Sequence, residues 1–87
     1  MTDRSEEIEL KIKQLVPLDH ELVGIHVVLT SLNGDLYYKV EFFTKALQIK
    51  FMPEWIKVMT SWEHETFKFE YCFLSPKEVK MLLSIRP

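Results

Sequence analysis

The stretch ELVGIHVVLTSLNGDLYYKVEFFT, residues 21–44, decides the fold. Asn33-Gly34 sits between two apolar runs, and this pair suits a two-residue type I′ turn because both central residues need φ > 0. With Leu32 opposite Asp35, pairing propagates outward: Leu29 opposite Tyr38, Val27 opposite Val40, Ile25 opposite Phe42. Side chains alternate along a strand. One face therefore carries Val23, Ile25, Val27, Leu29, Leu36, Tyr38, Val40 and Phe42, and is almost wholly apolar. The other carries Leu22, Gly24, His26, Val28, Thr30, Asp35, Tyr37, Lys39, Glu41 and Phe43, a mixed set. A slip of one residue would oppose apolar to mixed positions throughout. Turn chemistry and alternation thus specify the same register by separate routes.

Upstream of the hairpin, Asp3 to Val16 reads as a helix. Asp3 and Glu6 have the spacing of a capping box, Glu7 and Glu9 suit the positive end of a helix dipole, and Pro17 ends the run. Ile8, Ile12, Leu15 and Val16 form the apolar stripe. Residues 8–13 also alternate as a strand would, but the start and stop signals favour the helix. Pro17 to His20 is a connector.

Downstream, Ala46 to Met52 alternates Leu47, Ile49 and Phe51 with Gln48 and Lys50 and predicts a third strand. Pro53 then opens a predicted helix of about three turns, since Pro is tolerated in a first turn; its stripe is Trp55, Met59 and Trp62. Glu63-His64-Glu65 is a polar connector. Thr66 to Leu74 predicts the fourth strand, with Phe67, Phe69, Tyr71 and Phe73 on an inward face and Thr66, Lys68, Glu70 and Cys72 on the other. Ser75-Pro76-Lys77-Glu78 is a complete helix start, with Ser as N-cap, Pro first and Glu third. Val79, Leu82 and Leu83 face inward behind it.

The predicted order is α-β-β-β-α-β-α: a two-layer α+β sandwich with an antiparallel four-stranded sheet and helices packed mainly on one face. Residues 1–87 form one small domain. The α-β-β-β-α portion resembles the double-stranded-RNA-binding domain in topology. The lysine- and alanine-rich second helix of that family has no counterpart here, where the corresponding helix is rich in Trp and Met, and the sequence is assigned to no family.

The formal net charge of −2 gives no global field to attract nucleic acid or an anionic membrane. No apolar run approaches the roughly 18 residues of a membrane span. The single Cys and the lack of a signal-peptide pattern point to a reducing, cytoplasmic setting. Cys72 is alone and His20, His26 and His64 are scattered, so no metal site is read, and with only two glycines no phosphate-cradling loop either. No cofactor is implied. Cys72 sits mid-strand on the mixed face beside Lys68 and Glu70, with no Cys/His pair or GxSxG elbow around it, and reads as a half-buried structural residue. His26 and Glu41 are cross-strand neighbours. They are an acid–base pair if a pocket surrounds them, and a solvated salt bridge if none does.

What remains is the mixed face. Tyr37, Lys39, Phe43, Lys45 and His26 lie on it, and aromatic residues within a polar rim are the usual look of a binding patch. The expected function is a non-enzymatic protein-binding module (an adaptor, accessory subunit or small inhibitor) using this face or a sheet edge. A homodimer through a sheet edge is a further form of the same idea. The alternative is a single-stranded nucleic-acid binder on the same face, with Lys39, Lys45, Lys50 and Lys68 as a basic patch. An enzyme using His26 and Glu41 is the second alternative.

Overall fold

The computed structural model describes residues 3–16, 22–45 and 52–86. Its elements are α1 (Ser5–Leu15), β1 (Leu22–Leu32), β2 (Asp35–Lys45), β3 (Met59–Glu63), β4 (Phe67–Leu74) and α2 (Pro76–Leu83). The four strands form one antiparallel sheet in the order β1-β2-β4-β3.

The hairpin has the register its sequence specifies. Leu32 opposes Asp35, Leu29 opposes Tyr38, Val27 opposes Val40 and Ile25 opposes Phe42. Asn33 has φ 53° and Gly34 φ 85°, as a type I′ turn demands. The register breaks only between Leu22 and Gly24, where β1 carries a bulge. A bulge shifts the alternation by one. It turns Leu22 back to pack against the core and leaves Val23 exposed, the reverse of what uninterrupted alternation predicts for both.

One face of the sheet is the core. Val27, Tyr38, Val40, Phe42, Cys72 and Leu74 from the strands join Ile8 and Ile12 of α1 and Val79 and Leu82 of α2 in a single buried cluster. Both helices therefore pack on this face. The backbone N–H of Arg4 donates to the Tyr38 hydroxyl at 2.8 Å, and the Lys11 ammonium donates to the Ile85 carbonyl at 2.6 Å, tying α1 to the sheet and to the end of α2. The capping box expected of Asp3 and Glu6 is not formed: the N-cap is Arg4, without a side-chain cap bond, and the Asp3 carboxylate instead accepts from the hydroxyl and N–H of Ser5, bonds that hold it below its ordinary pKa. At α2 the capping box is complete, with the Ser75 hydroxyl accepting from the Glu78 N–H and the Glu78 carboxylate accepting from the Ser75 N–H.

Among the described residues the element order is α-β-β-β-β-α, where α-β-β-β-α-β-α was predicted; the α+β class and the antiparallel four-stranded sheet are as predicted. The predicted strand over 46–52 lies outside the described residues except for Met52, which is buried in the core. The predicted helix after Pro53 is not formed. One turn closes, with the Ile56 N–H donating to the Pro53 carbonyl at 3.0 Å, and the chain then extends into β3. Met52 offers no N-cap side chain, whereas Val58, Thr60 and Trp62 are β-branched or aromatic and favour a strand. Ile56, not the Trp stripe, enters the core at 1% exposure; Trp55 and Trp62 are 39% and 51% exposed. A strand over Met59–Glu63 stands where the second helix of the double-stranded-RNA-binding order was expected, so that part of the topological resemblance does not hold.

These burials separate two truncations. Phe42→Ala removes a ring at 2% exposure and should cost about 3–5 kcal/mol in chemical denaturation. Trp55→Ala should cost under about 1 kcal/mol, as exposed sites do. Equal losses would mean that Trp55 is packed as a helix stripe would pack it.

Candidate functional site

The second face of the sheet is where the chain departs most from its predicted arrangement. β4 pairs with β2 so that Val40 opposes Cys72, Tyr38 opposes Leu74 and Phe43 opposes Phe69. Cys72 and Leu74 are fully buried under the helices. By alternation, Phe67, Phe69, Tyr71 and Phe73 point the other way, onto the face that carries Tyr37, Lys39, Phe43 and Lys45. The expectation that these four aromatics line the core is therefore overturned. So is the expectation that Cys72 is half-buried on the mixed face.

A sequence signal for this orientation exists. Leu74 immediately precedes the Ser75 N-cap, and Val79 is the fourth residue of α2. These are the positions of a hydrophobic staple, in which the residue before the cap packs on the fourth helical residue. Leu74 and Val79 are 0% and 2% exposed. A buried Leu74 fixes the parity of the strand and sends every aromatic of β4 to the opposite face. Counting apolar side chains per face, which favours the aromatic side as interior, gives the wrong answer.

On the open face the aromatics form two groups, one around Phe43 and one of Tyr71 with Phe73. The Phe43 ring stacks with Phe67 at 5.4 Å between centroids and with Trp62 at 6.2 Å, and it tilts against Phe69 at 6.3 Å. Trp62 stacks on His64 at 5.9 Å, and Tyr71 meets Phe73 edge-on at 6.0 Å. Trp62 reaches this face because β3 is bulged between Thr60 and Trp62, which places Trp62 opposite Phe69. The Lys39 ammonium lies over the Tyr71 ring at 5.5 Å, a cation–π distance. Phe43, Phe67, Phe69, Tyr71, Phe73 and Tyr37 are all half-buried, and Trp62 is exposed.

All five residues singled out from the sequence, Tyr37, Lys39, Phe43, Lys45 and His26, share this face through the β1–β2–β4 register. Lys68 does not. It lies on the helix side with Glu70, 3.5 Å away in a mostly buried ion pair. Of the lysines proposed as a basic patch, Lys39 and Lys45 are on the open face, and Lys50 lies outside the described residues.

His26 and Glu41 approach to 3.7 Å as cross-strand neighbours, with the His26 side chain 70% exposed. Beside them Gly24, lacking a side chain, leaves a shallow cleft of ≈ 400 Å³ lined also by Phe43 and Phe69. Cys72 is on the other side of the sheet and cannot converge with them. Burial, reinforced by the Glu78 carboxylate, pushes its thiol up to about 12. Such a group stays protonated at neutral pH and is a poor nucleophile.

Comparison with protein-family models, with curated proteins and with solved structures finds no match to this chain.

The Cys72 environment makes a measurable prediction. A disulfide reagent at pH 8 should label the native protein only at the rate of unfolding and label it at once in denaturant. Because the folded thiol titrates higher than the ordinary 9.0, its contribution to stability is complete below pH 9 and should fall as pH rises from there toward about 12. Fast native labelling would place Cys72 outside the core.

Proposed function

We propose that this chain is a non-enzymatic protein-binding module, acting in the cytoplasm, whose open sheet face is the contact surface. The observation that carries the reading is the contiguous aromatic group Trp62, Phe43, Phe67 and Phe69 on the side of the sheet away from the helices. Fully burying one more half-exposed ring contributes about 2 kcal/mol at about 25 cal/mol per Å². Association costs on the order of 4–15 kcal/mol in lost rigid-body freedom. A single exposed ring could not hold a partner, whereas a contiguous row can. Lys39, Glu41, Lys45 and His26 supply the polar groups around it, with both signs of charge present, as on a protein interface.

Single-stranded nucleic acid is the second reading, because bases stack on sheet aromatics. It is weaker on charge. Lys39 and Lys45 alone would give a salt dependence of about −0.7 per phosphate contact, or roughly a sevenfold loss of affinity between 50 and 200 mM salt. Glu41 stands between them. As for catalysis, His26 and Glu41 sit at a shallow, open cleft and are not enclosed, and this favours a solvated cross-strand contact.

The two binding classes separate in one set of measurements. In a Trp55→Phe background Trp62 is the sole tryptophan and reports from the face itself. A partner captured from the source cell by the wild-type chain should be lost with Phe69→Glu, retained with Leu10→Glu on the exposed side of α1, and should shift Trp62 emission when titrated back. Oligothymidine should leave that emission unchanged at 50 mM salt. Capture indifferent to Phe69→Glu would remove the open face as the contact surface. An oligothymidine response that fades with salt would assign the face to nucleic acid.

A further inference from the structure

We infer that β1 is a self-pairing edge: two copies of this chain join β1 to β1 antiparallel about a two-fold axis, making one eight-stranded sheet. The inference is independent of what occupies the open face. It starts from the contrast between the two edges of the sheet. β3, at one edge, is five residues long, is bulged between Thr60 and Trp62 and carries Glu63. Short length, a bulge and charge are the devices that keep an exposed edge from pairing. β1, at the other edge, is eleven residues long and has none of them along Ile25–Leu32: no Asp, Glu, Lys, Arg or Pro, and a bulge only at its very start. An unprotected edge of this length suits pairing with another strand. With no Asp, Glu, Lys or Arg from Ile25 to Leu32, the strand can lie against its own copy with His26 as its one ionisable side chain.

The register of the hairpin says which groups would pair. Leu32 and Asp35 close the two-residue turn as a hydrogen-bonded pair, and such pairs alternate along an antiparallel ladder. Val28 and Thr30 therefore bond to β2, while the N–H and C=O groups of Ile25, Val27, Leu29 and Ser31 are directed away from it. Among the described residues no strand pairs with them. A cleft of ≈ 500 Å³ lies along this stretch, lined by Val27, Val28 and Leu29 of β1 and by Asp3, Ser5 and Glu6 at the start of α1.

The helix layer is compatible with the same axis. Pairing β1 antiparallel to its copy also runs α1 antiparallel to its copy. Glu6 borders the cleft, and Lys13, two turns further along α1, is held by Glu9 of its own helix at 3.1 Å. Helices pack about 8–10 Å apart and strands about 4.8 Å, so each helix covers about two strands, and the helix layer continues across the join without a gap. The open faces of the two copies then become one surface.

Native mass spectrometry and hydrogen exchange on the full chain test this. The expected mass is twice the 10.4 kDa of the chain. The amides of Ile25, Val27 and Leu29 should exchange more slowly as protein concentration rises, while those of Val28 and Thr30 are protected at every concentration. The double variant Val28→Lys, Thr30→Lys places lysines against lysines across the join and should raise the dimer dissociation constant by about tenfold or more. The exchange pattern of the wild type needs no variant to fold. A monomer at all concentrations overturns the inference, as does a monomer whose Ile25, Val27 and Leu29 amides are already protected, since the chain would then cover its own edge. A dimer broken by Phe69→Glu but not by the lysine pair also overturns it, and moves the axis to the aromatic face.

Discussion

The pairing of β2 with β4 is the constraint on which the rest of the structure depends. β2 is the strand with the sharpest division, burying Tyr38, Val40, Phe42 and Thr44 on one side. Opposing Val40 to Cys72 and Tyr38 to Leu74 extends that buried side across the sheet. A shift of one residue would send Cys72 and Leu74 to solvent and drive Phe69 and Tyr71 under the helices. The space there is filled by α1, α2 and Ile56, which together with the small Cys72 make a closed core. Phe67, Phe69, Tyr71 and Phe73 could not replace Lys68, Glu70, Cys72 and Leu74 without displacing a helix, since interiors are packed to crystal-like density. The register therefore fixes both the interior and, as its complement, the aromatic exterior.

The legible parts of the sequence were those encoded locally. Asn33-Gly34 fixed a turn, the turn fixed a register, and the register put Tyr37, Lys39, Phe43, Lys45 and His26 on one face. Ser75-Pro76 with Glu78 fixed the start of α2. The illegible parts depended on tertiary choices. Trp55, Met59 and Trp62 have helical spacing, but spacing does not say whether a core is waiting for them. Here Met52 and Ile56 fill that place, and the Trp residues stay out. In β4, Phe67, Phe69 and Tyr71 outweigh Cys72 on any count of hydrophobicity. The decisive residue is Leu74, whose staple to Val79 sets the parity of the strand.

A sheet that buries the less apolar face of one strand and exposes its aromatic face violates a rule that most of the chain obeys. Violations of local consistency concentrate at functional sites. The exposed rings are not scattered: Phe43 stacks on two neighbours, and Trp62 continues the stack to His64. Stacking holds Phe43, Phe67 and Trp62 against one another, so a partner of the proposed kind would find little left to order. The polar residues on the same face are few and of both signs, which suits a protein surface better than a polyanion.

The most direct test of this arrangement is solvent accessibility of the aromatic rings by nuclear magnetic resonance with a soluble paramagnetic probe. The ring protons of Phe67, Phe69 and Tyr71 should broaden strongly, while the methyl groups of Val40, Leu74 and Leu82 remain sharp. Sharp ring signals from Phe69 and Tyr71 would contradict it, because the face described as open would then be covered and the binding surface would have to be sought elsewhere.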